Sequence, residues 1–352
     1  MFKYYRADTN NQEEYAFANG IIRKLDRELM GSELLDSLLK TNDITSALKI
    51  MNESESLHAL FDINYPEQYE NTLNEELLYC YDIIKNISKV SPFHFLYFTF
   101  ASKYDFYNLK IIIKSKFQKK EVPEELISKV YTIEPRKLIS AIYDEKYEEI
   151  PSSFKLLIKK IIVNYQKHRD PEKIDFILDK ERYLMILNKI KEVEIIESEE
   201  LFLKRFIRIN IDLNNILSCI RAKIRGEKKI FTKEFILPEG DFKIDKIVEI
   251  YDSPITSWVE KLAFTDYKHI IEAGINAYQK NNSLMELEKL KDNFILNFTK
   301  IGKYITFGIE PLIGFISAKE NDLKNIKILL SGKLNNISED KIKERLRDTY
   351  GK

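Results

Sequence analysis

Along nearly the whole chain, apolar residues recur at three- and four-residue spacings, as in "FKLLIKKIIVNYQ" (154–166) and "LMELEKLKDNFILNF" (284–298). Such spacing places one apolar stripe along an α-helix and leaves the other faces polar. Strand-type alternation is scarce, and "KKIFTKEFILPEGDF" (228–242) is the one stretch open to debate. The ten glycines and nine prolines are few for 352 residues and form no linker or low-complexity tract. The pattern predicts an all-α protein.

Within that pattern one stretch occurs three times. "DFYNLKIIIKSKF" (105–117), "DLNNILSCIRAKI" (212–224) and "DLKNIKILLSGKL" (322–334) align without gaps. They share Asp105, Asp212 and Asp322, then Asn108, Asn215 and Asn325 three residues on, and Lys116, Lys223 and Lys333 eleven residues on. A small residue precedes each lysine (Ser115, Ala222, Gly332), and apolar residues fill positions +1, +4, +7, +8 and +12. A looser match aligned on Ile44, Tyr147 and Tyr267 has apolar residues at −9 (Leu35, Leu138, Trp258), −5 (Leu39, Ile142, Leu262) and +3 (Ala47, Ile150, Ile270). The aspartates lie 107 and 110 residues apart. That period is far longer than the ~34–47 residues of tetratricopeptide or HEAT arrays. It predicts a triplicated domain with units at 1–119, 120–227 and 228–352. Like units that meet head to tail close into a ring if their rotation allows, so a pseudo-threefold funnel is expected.

Eleven residues on a helix are three turns plus about 20°, so the Asp and Lys of each copy share a face at opposite ends. If each helix begins at its Asp, that side chain caps the first turn and the Lys complements the far end of the dipole. The small residue before the Lys allows a neighbouring backbone to approach. The Asn, beside the apolar stripe, is expected to bond neighbouring backbone, because burying it unpaired costs several kcal/mol. The nine residues are read as repeat-defining and structural, with a ligand site or a partner-facing surface as the sharper alternatives.

Charge is balanced at 56 basic and 56 acidic residues, which argues against a nucleic-acid binder. The basic clusters "KSKFQKK" (114–120) and "RAKIRGEKK" (221–229) read as helix-end complements, with an acidic protein partner as the sharper alternative. Two cysteines, Cys80 and Cys219, fit a reducing setting without disulfides. The polar start "MFKYYRADTNNQEEY" lacks a signal-peptide core. The most apolar window, "YITFGIEPLIGFISA" (304–318), is shorter than the ~18–20 residues of a membrane span and contains Glu310 and Pro311. No membrane crossing is expected.

The search for chemistry finds none. His58, His94, His168 and His269 have no zinc-type spacing, and His94 reads as a core or helix-start residue. Gly332-Lys333 lacks the upstream glycine and the following Ser/Thr of a phosphate loop. Glu148-Glu149 and Glu199-Glu200 read as solvated charges. No catalytic residue, cofactor or metal is assigned.

The third copy in context, "EPLIGFISAKENDLKNIKILLSGKLNNISEDKIKERLRDTYGK" (310–352), resembles the C-terminal signature of the C subunit of bacterial and archaeal V/A-type ATPases, the counterpart of the eukaryotic V-ATPase d subunit. Glu310-Pro311-Leu312, Ala318-Lys319-Glu320, Asn325-Ile326-Lys327 and Gly332-Lys333-Leu334 carry the likeness, and Lys327 stands where arginine is common. "YAFANGIIRKLDRELM" and "LLDSLLKTNDITSALKIM" are similar to that family's opening helices. The resemblance implies three similar helical domains forming a funnel, peripheral on the cytoplasmic face of the membrane. It implies that the funnel seats the rotor shaft, subunits D and F, on the membrane proteolipid ring without hydrolysing ATP or carrying ions. The coupling ion, proton or sodium, is a property of the ring. Rival readings are a soluble helical scaffold with unrelated partners, an all-α enzyme with a site in the opening, and a membrane-inserted component.

Overall fold

The computed structural model describes residues 12–89, 94–192, 197–227, 236–242 and 244–351. Helices joined by turns and irregular segments account for them, with no strand among the described residues. Of the debated stretch, residues 228–235 lie outside the described residues, and 236–242 are irregular. The chain divides into two compact units, Met1–Tyr79 with Ile195–Lys352, and Cys80–Glu194.

In the Cys80–Glu194 unit the long helix lies at His94–Gln118, followed by shorter helices at Pro135–Tyr143, Ser152–His168 and Pro171–Glu192. In chain order these four are α5, α6, α7 and α8. Phe106, Leu109, Ile112 and Ile113 of α5 pack with Leu138, Ala141 and Ile142 of α6, Phe154, Leu157, Ile158 and Ile161 of α7, and Leu178 of α8. Ion pairs Lys110–Asp179 at 2.7 Å and Lys114–Asp175 at 2.6 Å join α5 to α8.

The other unit holds two cores. In one, the long helix α9 (Glu197–Ile224) packs with α10 (Ile244–Tyr251), α11 (Trp258–Lys261), α12 (Lys268–Asn281) and α13 (Met285–Thr299). In the other, the long helix α14 (Glu310–Leu334) and α15 (Glu339–Arg345) pack with the opening helices α2 (Ser32–Leu39) and α3 (Ile44–Glu53) and the start of α4 (Tyr69–Ile87). The opening helix α1 (Gln12–Leu25) is held by Asn19, which donates to the Thr306 and Gly308 carbonyls, and by Arg23, which donates to those of Gly302 and Ile305. Each core thus forms between one long helix and another segment, which follows the helix for α5 and α9 but lies near the start of the chain for α14.

The three aspartates do not begin their helices. α5, α9 and α14 start at His94, Glu197 and Glu310, well ahead of Asp105, Asp212 and Asp322. The preceding turns of α5 and α14 are apolar on nearly every face, whereas those of α9 carry Lys204, Arg205 and Arg208. In α14, buried residues run from Glu310 through Ile316 without a break, so the amphipathic period marks only its later part.

Candidate functional site

The nine repeated residues perform one task three times. Asp105 accepts the backbone N–H groups of Thr132 at 2.9 Å and Ile133 at 3.1 Å, and the Thr132 hydroxyl. Asp212 accepts from the Phe242 N–H at 3.1 Å and the Tyr267 hydroxyl at 3.0 Å. Asp322 accepts from the Met30 N–H at 2.9 Å. Ile133, Phe242 and Met30 each stand two residues before a short helix, α6, α10 and α2 respectively.

The lysines take the other ends of those same short helices. Lys116 donates to the Ile142 carbonyl near the end of α6, and Lys223 to that of Tyr251 at the end of α10, at 2.8 Å. Lys333 donates to the carbonyls of Leu39, at the end of α2, and Thr41, at 3.0 and 2.5 Å. The base therefore sits where the short helix has free carbonyls, and the acid lies just ahead of its first turn, bonded to N–H groups of the segment that leads into it. Asp and Lys on one face of the long helix complement the dipole of its neighbour. The Asp does not cap its own helix, because it lies far inside it.

Between them each Asn side chain bonds both backbone groups of one residue. Asn108 pairs with Ser128 (3.2 and 2.8 Å), Asn215 with Leu237 (2.9 and 2.7 Å) and Asn325 with Arg347 (3.1 and 2.8 Å). One primary amide, with a donor and an acceptor, thus replaces a strand's worth of pairing for that residue. All three asparagines and all three aspartates are buried.

The copies differ in detail. A Cβ at Gly240 would overlap Asp212 Oδ1, so only glycine lets the carboxylate reach the Phe242 N–H. A Cβ at Gly332 would lie 2.6 Å from the Ile342 side chain, so what approaches the small position there is a side chain and not a backbone. The looser alignment slips in the third copy. Leu39 and Ile142, at −5, supply carbonyls to the lysines, but Lys223 uses Tyr251, eleven residues ahead of Leu262.

Burial pushes the Asp105 and Asp212 carboxyls up to about 6, against the lowering effect of their hydrogen bonds. Asp322 is pushed up to about 7, because it is buried with a single N–H donor and its Oδ1 accepts nothing. One turn away, Lys319 forms a buried ion pair with Glu76 at 2.7 Å and donates to the Ser56 carbonyl at 2.7 Å. Glu76 in turn accepts the His58 and Ala59 N–H groups. Sequence comparison among the copies missed this pair, since Ser102 and Ile209 occupy the equivalent positions.

Little of this is free to act on a ligand. In the basic clusters, Lys114 pairs with Asp175, Arg221 with Glu288 and Arg225 with Glu227, while Lys228 and Lys229 lie outside the described residues. A cavity of about 310 Å³ between α1 and residues 303–307 contains Arg23 and Lys303. Arg23 is bonded to Asp26 and two carbonyls, and Lys303 to the Tyr350 carbonyl. Burial pushes the Cys219 thiol up to about 12, far from a reactive thiolate. His58 stacks on Tyr79 and His269 is exposed, while the side chains of His94 and His168 lie outside the described residues. Glu148 and Glu149 are exposed, and Glu200 pairs with Lys204; the side chain of Glu199 lies outside the described residues. Among the described residues no group of acids, histidines and cysteines could hold a metal ion, and no helix is long and apolar enough to cross a membrane.

Comparison with known proteins matches residues 18–345 to the ATP synthase (C/AC39) subunit family. The chain belongs to this family. It is 25% identical to the C subunit of the V-type sodium ATPase of Enterococcus hirae, over 96% of this chain and 99% of that one. It is also 25% identical to the C subunit of the A-type ATP synthase of Methanocaldococcus jannaschii (94% and 86% covered), and 24% identical to that of Methanococcoides burtonii (96% and 95%). The ATP synthase C subunit is a non-catalytic, structural part of a rotary ATPase, in keeping with a chain whose repeated polar residues bind its own backbone.

Proposed function

We propose that this protein is the socket of the rotor, seating the central shaft, subunits D and F, on the membrane proteolipid ring. In this reading it lies on the cytoplasmic face as a peripheral component and passes torque during ion transport or ATP synthesis. The nine clamp residues are structural in this role. The units are 1–119, 120–227 and 228–352, and together they make the pseudo-threefold funnel.

The observation that carries the reading is the cyclic order of the clamps. The long helix of the first unit grips residues 128–142 of the second, and that of the second grips 237–251 of the third. The helix of the third grips Met30, Leu39 and Thr41 of the first. Head-to-tail contacts that return to their start after three steps are what a closed ring requires. A stiff ring of helices suits a part that must transmit rotation without absorbing it.

Co-expression with the shaft subunits and with the detergent-solubilised ring tests the proposal. The expected result is one complex in which this chain bridges both. A chain that purifies with neither, or with only one, overturns it.

A further inference from the structure

We infer that the solvent face of α7 is a docking surface for an anionic lipid bilayer. The inference deepens the peripheral placement proposed above and rests on it. α7 carries Lys155, Lys159, Lys160 and Lys167 and not one acidic residue in its 17 positions. Its core side is Phe154, Leu157, Ile158 and Ile161. On the opposite side Leu156 and Val163 remain 69% and 65% exposed, far more than aliphatic side chains beside a packed core need to be.

Seven residues separate these two, so they lie about 10.5 Å apart along the axis and about 20° apart around it. They form one ridge. Lys155 and Lys159 flank it on one side, Lys160 and Lys167 on the other, all exposed. Lys155 and Lys159 lean over the Tyr147 ring at 5.7 and 5.0 Å, which fixes their stems without neutralising them. Of the carboxylates nearby, Glu181 on α8 pairs with Lys160 at 2.6 Å, and Glu148 and Glu149 are exposed on the turn beside Tyr147. Among the described residues no carboxylate pairs with Lys155, Lys159 or Lys167.

Two occupants carry the complementary charge, an acidic protein and an anionic membrane surface. Protein interfaces enrich arginine and exposed aromatics at their centres and deplete lysine. This face carries lysines and no arginine, and the centre of its ridge is aliphatic, Leu156 and Val163. A bilayer surface attracts lysines whatever their rotamer, and a short aliphatic ridge between them reaches the headgroup–acyl boundary while the lysine stems spread along it. The composition favours lipid.

The test is co-sedimentation of the purified full chain with vesicles of phosphatidylcholine, alone or mixed with phosphatidylglycerol, at low salt. Binding is expected only to the mixed vesicles and is reversed by salt. Each lysine contributes about fivefold, so the triple variant Lys155→Gln/Lys159→Gln/Lys167→Gln binds about a hundredfold more weakly. Leu156→Ser/Val163→Ser weakens binding at unchanged charge. All five positions are exposed, and circular dichroism checks that both variants keep their helix. No binding of the unaltered chain to mixed vesicles overturns the inference, as does a triple variant that binds them equally well. If the triple variant keeps vesicle binding but loses the shaft or ring, the occupant is an acidic protein and the inference fails. A chain that binds vesicles but assembles with neither shaft nor ring overturns only the socket.

Discussion

A primary amide buried against one backbone residue makes Asn215 hard to replace. Asn215→Leu keeps the number of side-chain heavy atoms but strands the N–H and carbonyl of Leu237, both of which Asn215 satisfies. Each stranded group costs roughly 1–3 kcal/mol, so urea denaturation should show a loss on the order of 2–6 kcal/mol. An unchanged midpoint would mean that water replaces the amide. Asp322 behaves differently. Unfolded, its carboxyl holds a proton only below its ordinary value of 3.8, whereas burial keeps it protonated up to about 7 in the folded chain. Between those values the folded state binds more protons, so stability falls as pH rises. Asp105 and Asp212 act in the same direction up to about 6. Asp322→Asn retains an acceptor for the Met30 N–H without the charge. Its Tm should drop less than that of the unaltered chain between about pH 5 and about pH 8. Equal drops in the two proteins would exclude Asp322 as the source.

At the scale of elements, the helices were legible in the sequence and their beginnings were not. Periodicity marks a helix only where one side meets water, and the first turns of α5 and α14 are buried on nearly every side. The repeated Asp, Asn and Lys were legible as a set. What they hold was not, because their partners are backbone groups, which carry no side-chain signature to align. Copy comparison was also blind to Lys319–Glu76, which occurs once. This pair joins α14 to α4 and to the turn at Ser56–Ala59. Lys319→Met leaves the Glu76 carboxylate buried without its cation, which costs roughly 3–5 kcal/mol. A loss below about 1 kcal/mol in equilibrium unfolding, typical of an exposed pair, would show that water reaches the site.

For the whole molecule, the resemblance carried by the last copy, from Glu310 onward, extends through the family match over residues 18–345. The division into two compact units was not visible, since no linker composition marks it and α4 runs through Tyr79 and Cys80. Two units of unequal size, one built on a single core and the other on two, should not melt as one. Calorimetry is expected to give a van't Hoff enthalpy below the calorimetric one, and coincident enthalpies would show the units to be a single cooperative block. The third clamp carries a further consequence, for biosynthesis. α6 and α10 leave the ribosome after the long helices that receive them, but α2 and α3 leave long before α14. Their apolar residues, Leu35, Leu38, Leu39, Ala47 and Leu48, must wait through most of translation for their cover. A nascent chain of this protein therefore presents holdase chaperones with a binding stretch at a fixed address, released only when the final long helix emerges.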